Sequence, residues 1–222
     1  FFQGKRGGVY EIYQPGLSFL LFPGYLLDRA LFGLDPGFQD EFPADLPLTM
    51  TTMLIVCGLC GVAVFRLLRN ATGSDAAAMT MATLGMTTLP MTAFAFQLYP
   101  ELPACLLIVT GVNFAVFHAP HSTSRHALLA GLGAATLAWL HVRFGLISLT
   151  LFALALWRVP GRSRWPLVLG YAALLAPLSF ALYRMTGSWL PTALWDTQSS
   201  GLEFAPEGVL TNLVGYAVDY RW

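Results

Sequence analysis

The chain has 222 residues, 56% of them hydrophobic and 11% charged, and its 12 Lys and Arg balance its 12 Asp and Glu. With a mean hydropathy of +0.61 and less than half of the roughly 25% charged residues of soluble domains, it reads as an integral membrane protein, not a soluble globular one. Zero net charge leaves no electrostatic footprint for nucleic acid as a partner.

The apolar runs approach the roughly 20 residues that carry a helix across a bilayer, and they lack the alternation over about 10 residues of a barrel strand. Residues 1–45 form a loop ahead of the first long run. Within it, 17–33 is apolar but holds Asp28 and Arg29. Two charges at mid-helix would cost about 5–7 kcal/mol in a lone span, so this segment is expected to lie along the outer surface as an interfacial helix. Membrane segments are expected at 46–65, 75–96, 103–117, 127–139, 144–157 and 166–183, the fourth and fifth being short. Pro90 and Pro177 fall inside two of them and predict kinks. Small residues at 58–61 and 131–135 predict close helix contacts. Near the end, Leu210, Leu213, Val214 and Ala217 recur at helical spacing and predict a short outer-surface helix over 206–222.

The expected fold class is therefore an all-α polytopic transmembrane helix bundle of about six membrane segments plus an outer interfacial helix. Residues 1–45 are expected as the second half of a first extracytoplasmic loop, 46–183 as the bundle, and 184–222 as an extracytoplasmic loop and the start of a further helix. No signal peptide is visible, and a start at Phe1 with a stop at Trp222 reads as a piece of a longer chain, truncated at both ends. Arg66 and Arg69, Arg125, and Arg158, Arg162 and Arg164 flank the runs at alternate ends, whereas loop 35–45 carries Asp35, Asp40, Glu41 and Asp45 and no basic residue. The positive-inside rule puts the Arg-bearing ends in the cytoplasm and gathers loops 1–45, 97–102, 139–143 and 184–205 on the outer face. Lys5 is the only Lys, a bias that fits a GC-rich bacterial genome.

Three polar segments interrupt the apolar pattern on that outer face. Tyr13, Gln14, Pro15 and Gly16 open a helix, so the segment is either a plain interfacial helix start or a place where free amides meet an anion. Tyr99 and Pro100 lead to Glu101 at a helix start, where a carboxylate either complements the helix dipole or accepts hydrogen bonds from a sugar. Trp139, Leu140, His141, Val142 and Arg143 break an apolar stretch from 127 to 157 that is too long for one span, so the chain turns there. Arg143 is the only Arg of the outer loops between 46 and 183, and its planar fork suits bidentate phosphate recognition. Cys57, Cys60 and Cys105 read as small apolar packing residues, with a redox or metal role for the 57–60 pair a weak alternative. His118, His121 and His126 lack an acidic partner and read as a solvated cytoplasmic loop instead of a metal cluster. Asn70 begins a glycosylation sequon that the topology places on the wrong face.

These segments resemble the polytopic glycosyltransferases of the GT-C fold that use polyprenyl-phosphate sugars, such as the aminoarabinose transferase of lipid A and the protein O-mannosyltransferases. Gly8 to Leu17 is similar to that family's G-x-Y-S-x-H/Y-Q-P-G-L segment, with Glu11 in place of Ser. Tyr99 to Pro103 resembles its Y-P/T-E-x-P segment, Trp139 to Phe144 its W-L-H-x-R-F turn, and Asp219 to Trp222 the start of D-R-x-W/Y-G-L. The resemblance implies sugar transfer from a polyprenyl-phosphate donor to a hydroxyl of a lipid, glycan or protein acceptor, with inversion, at the extracytoplasmic face of a bacterial plasma (inner) membrane. It implies that Arg143 neutralises the leaving phosphate with help from His141, that Tyr13 and Gln14 border the donor headgroup, and that Tyr99 and Glu101 contact sugar hydroxyls. The acidic base of the family lies upstream of the Tyr13–Gly16 segment, so it is expected before residue 1, with Glu11 a poor substitute. No tightly bound cofactor is implied, and a divalent cation is left open. A membrane transporter or a non-catalytic membrane scaffold stands as the alternative, although no internal repeat or mid-bilayer charge points to transport.

Overall fold

The computed structural model describes residues 2–3, 9–10, 16–33 and 46–186. Glu11, Tyr13, Gln14 and the helix expected at 206–222 lie outside them. The chain divides into two units, Tyr13–Leu178 and a second made of Phe1–Ile12 with Ser179–Trp222. In the second, strands β1 (Phe2–Gln3) and β2 (Val9–Tyr10) pair antiparallel, Phe2 opposite Tyr10. Everything else described is helical or turn: α1 (Gly16–Phe32), α2 (Pro47–Thr72), α3 (Asp75–Met86), α4 (Leu89–Ala95), α5 (Glu101–Asn113), α6 (Ser124–Leu140), α7 (Gly145–Arg158) and α8 (Gly161–Thr186).

Among the described residues, three helical segments are long and apolar enough to cross a membrane: Pro47–Thr72, Glu101–His121 and Gly161–Arg184. Only 22% of the most apolar stretch of α2 is buried, and Leu54, Ile55, Leu59 and Val62 point outward. An apolar helix face of that size turned away from the protein suits lipid and not water. Trp157 and Trp165 are exposed beside Arg158, Arg162 and Arg164, the pairing of aromatic and basic side chains that marks a bilayer interface.

Two expected runs differ in the structure. The stretch 75–96 is broken: α3 stops at Met86, and Pro90 stands in the first turn of α4 instead of kinking a span. Pro90 has no N–H to continue the ladder to Met86. Next to it the Thr87 and Thr88 hydroxyls donate to the Thr83 and Gly85 carbonyls at 2.8 and 2.7 Å, competing with helix continuation. The run 103–117 is longer than expected, since α5 passes into a π-helical turn (Phe114–His118) and a 3-10 turn (Ala119–His121). His118 and His121 therefore belong to the helical segment and not to a loop.

Segment 17–33 forms a helix as expected, but Asp28 is not its liability. The carboxylate is buried and accepts from Leu48 N–H at 2.9 Å, Thr49 N–H at 2.8 Å and the Thr49 hydroxyl at 2.7 Å. These amides are orphans of the first turn of α2, which Leu46 does not cap with its side chain. The opposite end of α1 rests on α6: a Cβ on Gly16 would collide with the Trp139 backbone, and Phe19 meets the Trp139 ring edge-on at 5.8 Å. With its ends on the start of α2 and the finish of α6, α1 lies across one end of the bundle. Burial raises the Asp28 pKa, but the bonds from Leu48 and Thr49 outweigh it and hold the carboxyl below the ordinary aspartate value.

The core of the bundle is built on small residues. A Cβ on Gly131 would run into the Leu167 carbonyl, and one on Gly170 into the Leu128 carbonyl, so α6 and α8 cross with their backbones in contact. The 58–61 stretch makes no such crossing, since Gly58 faces open space and Gly61 meets only the Met86 side chain. Beside the crossing, the buried Ser148 hydroxyl donates to the Ala134 carbonyl at 2.6 Å, and Tyr171 stacks on Phe152 with centroids 4.1 Å apart. Cys60 approaches Cys105, with sulfurs 3.5 Å apart, and not Cys57, its neighbour in the CxxC spacing. All three cysteines are free and sit in an apolar cluster with Met53, Val56 and Leu102.

Asp28→Ala leaves two amides of α2 unsatisfied and is expected to cost about 1–3 kcal/mol, read as a lower thermal midpoint in detergent, with Asp28→Asn costing less. Because the folded pKa is depressed, this stabilisation is complete above pH ~4 and fades as pH falls below it, so wild type and Asp28→Ala converge at acid pH. Gly131→Leu is expected to destabilise by about 1–3 kcal/mol or more through overpacking, whereas Gly58→Leu shifts the midpoint little.

Candidate functional site

The start of α5 and the turn between α6 and α7 meet at the end of the bundle that α1 crosses. Glu101 is the first residue of α5, where the positive helix end favours a carboxylate. At the other segment α6 stops at Leu140 because His141 adopts an extended backbone, φ −165° and ψ 144°. Val142–Phe144 makes one 3-10 turn and α7 begins at Gly145. The turn expected from the Trp139–Phe144 sequence is therefore present, and it delivers Arg143 to Glu101.

Arg143 Nη2 donates to Glu101 Oε1 in an ion pair across 42 residues of sequence. The guanidinium lies over the Phe144 ring, 5.1 Å from its centroid, a cation–π contact that restricts the fork. Arg143 N–H donates to His141 Nδ1 at 3.2 Å, and the His141 ring meets Phe144 edge-on at 6.2 Å. An accepting Nδ1 places the proton of the neutral imidazole on Nε2, as a donor. Desolvation by burial lowers the His141 pKa from its ordinary value, so the ring is neutral at pH 7.

Side-chain exposure decides what the ion pair is worth. Arg143 is 50% exposed and Glu101 30%, and a pair so open to solvent contributes about 0–1 kcal/mol. Its consequence is positional: one Glu101 oxygen holds the guanidinium, while the other, Oε2, is buried without a hydrogen-bond partner. A buried carboxylate oxygen left open costs free energy that a hydroxyl donor would recover.

Of the six residues expected at the site, Glu101, His141 and Arg143 come together. Tyr99 is adjacent in the chain and half-exposed, with its ring packed edge-on against Phe94 at 6.4 Å. Tyr13 and Gln14 lie outside the described residues. Phe144 was not among the six, although an aromatic directly after an Arg at a helix start is a local signal for stacking. Among the described residues no group of three or more His, Cys, Asp or Glu side chains is placed to hold a metal ion.

A double-mutant cycle on Glu101→Ala and Arg143→Ala, read by thermal unfolding, is expected to give a coupling energy below about 1 kcal/mol. The His141 imidazole is expected to titrate with an NMR midpoint below about 6.5. The lowered folded pKa makes its stabilisation complete above that pH and progressively lost as pH falls from there.

Comparison of the chain with protein-family models, with curated proteins and with solved structures finds no match.

Proposed function

We propose that this protein is a polytopic glycosyltransferase of GT-C type, which moves a sugar from a polyprenyl-phosphate donor to an acceptor hydroxyl at the outer face of a bacterial plasma membrane. The observation that carries the reading is the meeting of Glu101 with Arg143. Two polar segments, each similar to a motif of that family, contribute to one cluster at the bundle end opposite the Arg66, Arg69 and Arg158 side chains. In this reading the membrane segments number about six, with α3–α4, α6 and α7 joining the three long spans. At 17 and 14 residues, α6 and α7 extend about 26 and 21 Å, against a hydrocarbon core of about 30 Å.

The chemistry follows from where charge develops. The acceptor oxygen loses its proton to a base, attacks the anomeric carbon from the face opposite the phosphate, and the carbon–oxygen bond to the phosphate breaks with its electron pair remaining on the leaving oxygen. That oxygen gains negative charge in the transition state, and a preorganised guanidinium beside it stabilises that charge. Arg143 takes this role, with Glu101 and Phe144 setting its position and His141 Nε2–H donating beside it. Glu101 Oε2 accepts from a sugar hydroxyl. The proton of the acceptor is assigned to none of the described residues.

The test is transfer of a labelled sugar from polyprenyl-phosphate donors by the protein in native membranes. Arg143→Ala is expected to lower kcat by about 10²–10³, the loss typical for one donor to a developing oxyanion, at matched expression and an unchanged thermal midpoint. Glu101→Gln keeps the shape and an acceptor oxygen but removes the charge that holds the guanidinium, and is expected to lower transfer less. Wild-type rates in Arg143→Ala, or no transfer from any donor by wild type, would overturn the reading in favour of transport or scaffolding.

A further inference from the structure

At the opposite, Arg-rich end a cavity of about 720 Å³ opens between the last turns of α2, the π-helical and 3-10 turns after α5, and the start of α6. Its polar lining includes Arg66, Arg69, Asn70, Asn113, His118 and His121, and among the described residues no Asp or Glu contributes to it. We propose that this cavity is a binding site for an anionic phosphoryl group, at the membrane face away from the Glu101–Arg143 cluster.

The charge is the first reason. Arg66 and Arg69 stand three residues apart on one face of α2, where like charges repel. Arg69 meets Asp75 at 2.7 Å, but the two side chains are 58% and 69% exposed, so solvent screens that pair. Arg66 has no carboxylate partner among the described residues. An anion between the two would relieve the repulsion and use both guanidinium forks.

The arrangement of the neutral groups is the second. Asn70 Nδ2 donates to Asn113 Oδ1 at 2.8 Å and lies 3.4 Å from His118 Nε2. Because Asn113 accepts through its oxygen, its Nδ2 hydrogens are left for the cavity. The π-helical turn brings His118 to this chain of contacts, and Arg158 Nη2 secures the turn by donating to the Val116 carbonyl at 2.8 Å. Single π turns inserted in helices are frequent at functional sites. Phe114 and Phe117 complete the lining, so the space holds an organic substituent as well as a phosphoryl head. Its volume is far larger than a bare carboxylate needs, and its donors match a group with several acceptor oxygens. Basic pockets between helices at the cytoplasmic interface face a layer rich in such groups.

The ligand is a lipid phosphoryl headgroup or a soluble phosphate, and one experiment separates them. Protein purified in neutral detergent is offered micelles doped with phosphatidylglycerol or phosphatidylcholine, and retained lipid is counted by native mass spectrometry. In parallel, inorganic phosphate is titrated against thermal unfolding. The double variant Arg66→Gln/Arg69→Gln is expected to lose binding by about tenfold or more, as two charge-assisted contacts vanish. Arg162→Gln/Arg164→Gln removes equal charge from the start of α8, outside the cavity, and is expected to change binding by less than about twofold. The altered side chains are all exposed, so both proteins are expected to fold, which their midpoints without ligand check. Preferential retention of phosphatidylglycerol identifies a lipid headgroup, and a midpoint raised by phosphate identifies a soluble ligand. No binding in either arm, binding undiminished in Arg66→Gln/Arg69→Gln, or equal loss in the two double variants overturns the proposal.

Discussion

The carboxylate of Asp28 holds together the end of the bundle on which the proposed chemistry depends. A helix beginning at Leu46-Pro47 has no local side chain to receive its first amides, and a buried amide left unpaired is costly. Asp28 accepts from two of them and from the Thr49 hydroxyl. In doing so it fixes one end of α1 over α2, while Gly16 and Phe19 fix the other over α6. The α6–α7 turn that carries His141 and Arg143 thus begins directly beneath α1.

The same requirement recurs at other places along the helices. Pro177 withdraws the N–H that would reach Ala173, and one residue along the Trp139 indole donates to the Leu174 carbonyl at 2.7 Å. Arg158 serves the Val116 carbonyl of the π turn, and the buried Ser163 hydroxyl serves the Ser122 carbonyl at 3.1 Å. Long-range side-chain bonds to backbone carbonyls serve these places. They also tie the π turn to α7 and α6 to α8, while the two bundle ends are chemically opposite. One end offers a guanidinium tied to a carboxylate with an open oxygen, the other a basic cavity lined by Arg66 and Arg69.

Legibility differed between the two ends for physical reasons. Glu101, His141 and Arg143 stand out in the sequence because each interrupts an apolar run, and the structure brings these three side chains together. His118 and His121 lie in a polar stretch and so read as solvated loop, although a wide helical turn brings them to a cavity with Arg66 and Arg69. The broken run at 75–96 was obscured by its uniform apolarity, which conceals two Thr hydroxyls that compete with the ladder beside Pro90. Gly58 and Gly131 look alike in sequence, yet only Gly131 meets a backbone, because which face of a helix is covered depends on its neighbours.

The sequence by itself determined an apolar helical membrane protein, the Arg asymmetry between its ends, the turn at 141–144 and the polar character of that turn. Composition and run length suffice for these, since they follow from the cost of placing polar groups in hydrocarbon. Only the tertiary structure decided that Asp28 caps α2 from 20 residues away, that Glu101 pairs with Arg143 across 42, and that Cys60 faces Cys105 and not Cys57. Such pairings depend on helix rotation and crossing, which are set by contacts among side chains remote in sequence and leave no local periodic trace.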